Sequence, residues 1–253
     1  MNHHHANVGD VMKHLTLMCV IDEVRPRRYY ESHAGRFDYP LTGRDEPLPD
    51  GVWDFMAAAA GPGILRTSRY AHLLRRIGGT KSSPGTYPGS VRCTYEILGH
   101  DTQYFLAERD AFTARAIEVA LQDRKAKHRV AREDGVDWVL DHAARGDFVL
   151  LDPFEPNYRS PKHKASAYEA FSRLAERGAL ALLWAAEPLE DECEVLGWGT
   201  RVRLEFDTPV SSMAACSLYL SKDVPNACRA SVRQLADAHH SCLTNGALVA
   251  LMR

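Results

Sequence analysis

The sequence predicts an α/β protein with a doubly wound, mostly parallel sheet, and three observations lead there. Short apolar runs, Tyr104–Ala107, His128–Ala131, Phe148–Leu151 and Leu180–Trp184 among them, alternate with longer stretches of helical periodicity, the pattern of repeated strand–helix units. Three of these runs give way almost directly to acids: Glu108 after the first, Glu133-Asp134-Gly135 after the second, Asp152 after the third. Open parallel sheets bind ligands just outside the carboxyl ends of their strands, so acids at those ends predict a crevice. Finally, Gly146-Asp147-Phe148-Val149-Leu150-Leu151-Asp152-Pro153-Phe154-Glu155 reads as a buried strand that delivers one carboxylate to a turn.

From the amino end, Val8, Val11, Met12, Leu15, Leu17, Met18 and Val20 make a helical pattern over residues 7–24, with Asp10 near the positive end of such a helix. Arg28–Ser32 reads as the first strand and His33-Ala34-Gly35 as a sharp turn after it. Residues from about 43 to 88 differ in texture: an Ala run at 57–60, Gly61-Pro62-Gly63, a basic helical piece from Arg66 to Ile77, then a Gly/Ser/Pro loop. This stretch reads as a helical insertion within a single domain over residues 1–253. Further helices are expected over about 111–122, 136–144, 165–176 and 229–239. Two late strands, near 200–206 and 216–220, suit an antiparallel edge.

With 253 residues, 45% hydrophobic and 25% charged, the chain has the length for one large core plus an insertion and an ordinary globular composition. A formal net charge of −2 removes global charge as a means of holding nucleic acid. Basic runs such as Arg124-Lys125 with Lys127-His128-Arg129 are as a rule solvated faces. Cys19, Cys93, Cys193, Cys216, Cys228 and Cys242 are scattered without a Cys-x-x-Cys pair. Neither a zinc site nor a disulfide framework is therefore predicted, and the expected setting is the reducing cytoplasm. No apolar run has the length of a membrane span and the polar amino end is no secretory signal, so no membrane partner is expected.

Counting Arg28–Ser32 as the first strand, Glu108 follows the second, where a carboxylate can accept both hydroxyl hydrogens of a ribose diol. Asp134-Gly135 after the third suits an adenine amine, with glycine allowing close backbone approach. The competing reading is structural, because an acid after a strand also caps the next helix. The loop after the first strand has one glycine and lacks Gly-x-Gly-x-x-Gly, so the dinucleotide fingerprint is absent. His14 and His33 flank that first strand, where a lone histidine is as a rule a partly buried structural residue.

Taken in order, Asn7-Val8-Gly9-Asp10-Val11-Met12-Lys13-His14, Ser32-His33-Ala34-Gly35, Tyr87-Pro88-Gly89-Ser90, Glu108, Asp134-Gly135 and Leu150-Leu151-Asp152-Pro153 form a specific set. It resembles the bacterial large-subunit ribosomal RNA adenine-N6 methyltransferases of the J type, over nearly the whole chain and including the insertion. The resemblance implies the class I methyltransferase fold, a Rossmann-like sheet. It also implies S-adenosylmethionine as cosubstrate, contacted by Lys13, His14, His33, Ser90, Glu108, Asp134, Gly135 and Asp152. No metal is expected.

The likeness breaks on the acceptor side. Where the family has Asp-Pro-Pro-Tyr, with the aromatic stacking on the target base, this chain reads Asp152-Pro153-Phe154-Glu155. A glutamate cannot stack on adenine and is costly to bury unpaired. The family also carries a Tyr and a His ahead of the first helix, where this sequence has His3-His4-His5. The asymmetry predicts an enzyme that keeps its cosubstrate and has changed its acceptor to a small molecule. Asp152 would hold an amine and Asn157 a polar group, while Phe154 and Tyr158 shield the sulfonium. Those four form the expected catalytic set. The Asp-Pro-Phe turn followed by an Asn further resembles the azetidine-2-carboxylate synthases, which implies cyclisation of S-adenosylmethionine with release of methylthioadenosine. The alternatives are adenine-N6 methylation of ribosomal RNA, N-methylation of a small amine, and binding of S-adenosylmethionine without catalysis.

Overall fold

Asn7 accepts the amide hydrogen of Asp10 and so caps the first helix, α1 (Val8–Val24), in the computed structural model. The structure describes residues 6–41, 50–80, 83, 85–153, 165–187, 195–210, 213–244 and 247–252. After α1 come β1 (Arg28–Glu31), β2 (Asp38–Pro40), α2 (Val52–Ala58), α3 (Ile64–Thr67), α4 (Arg69–Ile77), β3 (Thr86–Pro88) and α5 (Ser90–Leu98). The alternating part follows: β4 (Gln103–Ala107), α6 (Ala111–Asp123), β5 (Lys127–Ala131), α7 (Gly135–His142), β6 (Phe148–Leu151), α8 (Ala167–Glu176) and β7 (Leu180–Glu187). The chain finishes with β8 (Trp198–Val210), β9 (Met213–Ser221), α9 (Asn226–His240) and β10 (Ala247–Met252).

The main sheet has the order β10-β8-β9-β7-β6-β1-β4-β5. Pairings among β5, β4, β1, β6 and β7 are all parallel, whereas β9 runs antiparallel to both β7 and β8. β8 therefore runs the same way as β7, and six strands of one direction, β5, β4, β1, β6, β7 and β8, with the reversed β9 slipped between the last two define the class I methyltransferase fold. β10 extends it by pairing antiparallel to β8. The order reverses at β1, which has β4 on one side and β6 on the other, so the crevice opens at the carboxyl ends of β1 and β6.

Strand alternation sends Tyr29, Leu150 and Leu182 to one face and Tyr30, Val149, Leu151 and Leu183 to the other. The first face packs under α1, α6 and α9 through Met12, Ile21, Ile117, Leu121, Val232 and their neighbours. The second is covered by α7 and α8, with Trp138, Val139, Phe171 and Leu174 in its core. α1 is buried on its other side as well, where Val11, Leu15 and Met18 meet Phe55, Leu65, Tyr70 and Leu74 of α2, α3 and α4. Trapped between sheet and insertion, α1 carries even Lys13 and His14 out of solvent.

The structure adds elements the periodicity misses. α5 is helical although Val91, Thr94, Tyr95 and Ile97 are weak helix formers, because Val91 and Cys93 are buried against neighbouring layers. The short β2–β3 pair and β10 have too few residues of clear alternation to read in one dimension.

Candidate active site

At the point of sheet reversal the ends of β1 and β6 are joined through Ser32. Its N–H donates to Leu150 O at 3.0 Å, its Oγ accepts from Asp152 N at 3.3 Å, and the same Oγ lies 2.8 Å from His33 Nδ1. The β5–α7 loop closes on this knot. A Cβ at Gly135 would stand 1.5 Å from Ser32 O, so only glycine permits the approach.

The carboxylate of Asp152 faces α1. Lys13 Nζ donates to Asp152 Oδ2 at 2.8 Å and to Asp10 Oδ1 at 3.0 Å, with the Lys13 and Asp152 side chains 8% and 13% exposed. Among the described residues Asp152 Oδ1 accepts no hydrogen bond. Burial alone would discharge Lys13, but Asp152 and Asp10 outweigh it and hold the ammonium charged. Burial pushes the Asp152 carboxyl up to about 6, with Lys13 pulling the other way. The Lys13 ammonium also lies 5.1 Å from the centre of the Trp184 ring. Leu151 pairs with Leu183, so Trp184 stands abreast of Asp152 on the neighbouring strand. Its Nε1 is buried without a partner among the described residues, and α1 approaches the ring through Gly9, where a Cβ would come within 3.2 Å of it.

Two buried clusters flank this pair. His14 Nδ1 lies 2.9 Å from Tyr87 Oη, and Tyr70 Oη donates to Tyr87 Oη at 3.0 Å. Burial and the neighbouring Lys13 charge pull His14 down to about 3, so its imidazole is neutral at pH 7. The Glu31 carboxyl, fully buried at the end of β1, accepts from Tyr29 Oη at 2.8 Å and from Ser90 Oγ. Burial pushes Glu31 up to about 8 against the opposing effect of those hydroxyls, so it carries a proton at neutral pH. Three residues of the Tyr87-Pro88-Gly89-Ser90 motif thereby acquire a structural contact. Tyr87 meets His14, Ser90 meets Glu31, and Gly89 presses so close to Arg36 O that a Cβ would sit 2.0 Å from it.

Glu108 and Asp134 make different local contacts. Asp134 is the N-cap of α7, accepting from Asp137 N at 3.3 Å. Glu108 is not a cap; that position on α6 belongs to Asp110. Instead Glu108 accepts from Gly35 N at 3.0 Å and Asp110 N at 2.8 Å, one with each oxygen, and so ties the β1 loop to the β4 loop. Gly35 needs its freedom there, with φ +60 and Tyr39 Oη 2.5 Å from where a Cβ would be. His33 is pulled down to about 4 by burial, with Asp134 opposing and Arg109 reinforcing.

Lys13, His14, His33, Ser90, Glu108, Asp134, Gly135 and Asp152 therefore converge on the carboxyl ends of β1, β4, β5 and β6. Phe154, Asn157 and Tyr158 of the expected catalytic set lie outside the described residues, as do Glu155 and His3-His4-His5. Ser32 and Tyr87, quoted above only as parts of motifs, and Glu31 and Trp184, not singled out at all, join the site. A glutamate inside an apolar strand was the signal for Glu31; Trp184 gave none, because its nearness to Asp152 depends on strand register. Clefts lined by Asp22 and Arg69 lie on the insertion side instead and include none of these groups. Among the described residues no helix is long and apolar enough to cross a membrane.

Fold and crevice together define a protein of the class I methyltransferase fold. No family model and no curated protein matches the sequence. Among solved structures, protein LPL1258 of Legionella pneumophila, titled with the family model DUF519, superposes with a TM-score of 0.81 at 18% identity, over 98% of this chain and 98% of that one. The whole fold is thus shared, insertion included. An S-adenosylmethionine-dependent O-methyltransferase of Thermotoga maritima matches with a TM-score of 0.41 at 9% identity, over 83% of this chain and 64% of that one.

Proposed function

We propose that the protein is an S-adenosylmethionine-dependent enzyme that forms a bond to an amine nitrogen held by Asp152. The observation that carries this reading is the buried Asp152 carboxylate at the sheet reversal, fixed by Lys13 through Oδ2 with Oδ1 left to accept from a ligand. When bound, S-adenosylmethionine supplies an electrophilic carbon next to a sulfonium. Glu108 fits the ribose diol: each oxygen uses one lone pair on a loop amide and retains another. Gly135 and the Ser32 backbone would wall the adenine, and His14 and Lys13 would meet the amino-acid end.

Asp152 can do two things for an amine. It accepts an N–H hydrogen bond, which aims the nitrogen lone pair at the electrophilic carbon. It then offsets the positive charge that grows on nitrogen as the C–N bond forms and the C–S bond breaks, the pair going to sulfur and the surplus proton leaving through the carboxylate to water. The acceptor we favour is a small molecule, because Asp152-Pro153-Phe154-Glu155 lacks the base-stacking Tyr. The sharpest form is the cosubstrate's own α-amine, closing on its γ-carbon to give azetidine-2-carboxylate and methylthioadenosine. A second reading, adenine-N6 methylation of ribosomal RNA, draws on Trp184, an aromatic ring abreast of Asp152 that a planar base can stack against.

Incubation with S-adenosylmethionine alone, with an added small amine, and with stripped ribosomal RNA separates these readings by mass spectrometry. Methylthioadenosine with a cyclic amino acid, lost in Asp152→Asn, is the expected result. S-adenosylhomocysteine appearing only with an amine or only with RNA assigns the acceptor accordingly. No product in any arm, together with no binding of S-adenosylhomocysteine, overturns the proposal.

A further inference from the structure

His14 is 3% exposed, in the second turn of α1, and of its two ring nitrogens only Nδ1 is hydrogen-bonded among the described residues. The partner, Tyr87 Oη, is itself approached by Tyr70 Oη at 3.0 Å, and both phenols are buried. Tyr87 is the middle residue of β3, two residues before the Gly89 whose backbone abuts Arg36 O. Tyr70 comes from α4 and packs against Phe55 at a ring separation of 5.1 Å and His14 at 6.1 Å. A hydroxyl gives one hydrogen and accepts others. With Tyr70 donating to Tyr87, the Tyr87 hydrogen can go to the imidazole lone pair at Nδ1. That leaves the ring proton on Nε2, the one nitrogen without a partner.

We infer that Tyr70 and Tyr87 form a buried hydrogen-bond relay that fixes neutral His14 in its Nε2–H tautomer, so that Nε2 donates to a carboxylate oxygen of a bound ligand. Tyr87 and Tyr70 are then positioning residues, and the insertion contributes to the site through these two phenols without touching the ligand. A neutral imidazole with the proton on the wrong nitrogen would present a lone pair to the carboxylate and repel it. The low proton affinity of His14 agrees with this arrangement, since an imidazolium would donate from both nitrogens and make the relay redundant. The ligand half of the inference rests on the proposed binding of S-adenosylmethionine; the tautomer half does not.

The test uses the full chain, labelled with nitrogen-15 histidine, and long-range proton–nitrogen spectra at pH 7, with His14→Gln assigning one signal among the 12 histidines. The expected wild-type pattern is an unprotonated Nδ1 and a protonated Nε2. In Tyr87→Phe the pattern shifts towards Nδ1–H or a mixture, and affinity for S-adenosylhomocysteine by calorimetry falls about tenfold, the scale of one hydrogen bond to a charged group. Tyr70→Phe, which leaves the Tyr87 hydroxyl in place, gives a smaller change in both. An Nδ1–H tautomer in the wild type overturns the inference whatever the variants do. So does an unchanged tautomer in a Tyr87→Phe protein that melts as the wild type does. If the wild type shows the expected tautomer yet binds neither S-adenosylmethionine nor S-adenosylhomocysteine, the relay stands and the proposed function falls.

Discussion

Replacing Lys13 with Met removes a cation that both Asp152 and Asp10 contact, while keeping much of the stem that fills the space beside Trp184. Breaking a buried ion pair on one side leaves an uncompensated charge and costs about 3–5 kcal/mol. In a domain of this size each kcal/mol lowers Tm by about 2–4 °C, so a fall of roughly 6–20 °C is expected at pH 8. The pH dependence makes the test specific. In the wild type, Asp152 is raised from 3.8 to about 6. Its native form therefore binds the proton more tightly than the unfolded chain, and its contribution to stability is lost as pH rises from 3.8 through about 6. The raised Lys13 acts in the other range: its contribution is complete below 10.5 and is lost only above that value. In Lys13→Met the groups that lower Asp152 are gone, so its carboxyl titrates higher still. Acid then neutralises the stranded charge, and the gap between wild type and variant at pH 5 should shrink to about half of its value at pH 8, a tenfold change in proton affinity being worth about 1.4 kcal/mol. Urea denaturation of both proteins across pH 5–8 measures this. A loss that is the same at every pH, or smaller than about 1 kcal/mol at pH 8, rules out this account of the ion pair.

Gly135→Ala would drive a Cβ against Ser32 O and should cost about 3 kcal/mol or more in urea denaturation, since the opposing atom is backbone and cannot swing away. A stable, unaltered Gly135→Ala protein would mean the β5–α7 loop does not close on β1 as described. Glu31→Gln should leave stability at pH 7 within about 1 kcal/mol, because the carboxyl raised to about 8 is already neutral there. The native state takes up this proton ahead of the unfolded chain, so wild-type stability falls as pH rises from 4.5 to about 8; Glu31→Gln should flatten that slope, and equal slopes would contradict it.

The sheet was legible because its strands are short apolar runs ending in acids, and period and polarity are written along the chain. Asp134 shows where that legibility stops. An Asp before Gly at a strand end reads equally as ligand contact and helix cap, and the structure gives it the cap of α7. Glu108 has the same one-dimensional context, yet its oxygens clamp two loop amides because Asp110, two residues on, takes the capping role. α5 was hidden for a different reason: its helix is imposed by burial of Val91 and Cys93 rather than by propensity, and only tertiary contacts disclose that.

Trp184 bears most directly on the acceptor. Along the chain, the neighbours of Asp152 point to a changed acceptor, because the aromatic is missing and Glu155 stands in its place. Across the sheet the neighbours are set by register, and register brings an indole abreast of the same carboxylate, under the Lys13 ammonium. One ring there can serve either a flat base or a sulfonium, since both are attracted to a π face. Lys13 already covers that face: its ammonium lies over the indole and is matched by the Asp10 and Asp152 carboxylates. With both acids ionised the three groups carry one net negative charge, so this end of the crevice favours a cation over a neutral guest. A planar base could stack on Trp184 only if the Lys13 ammonium gave up its place there, whereas a sulfonium beside the two carboxylates needs no such displacement.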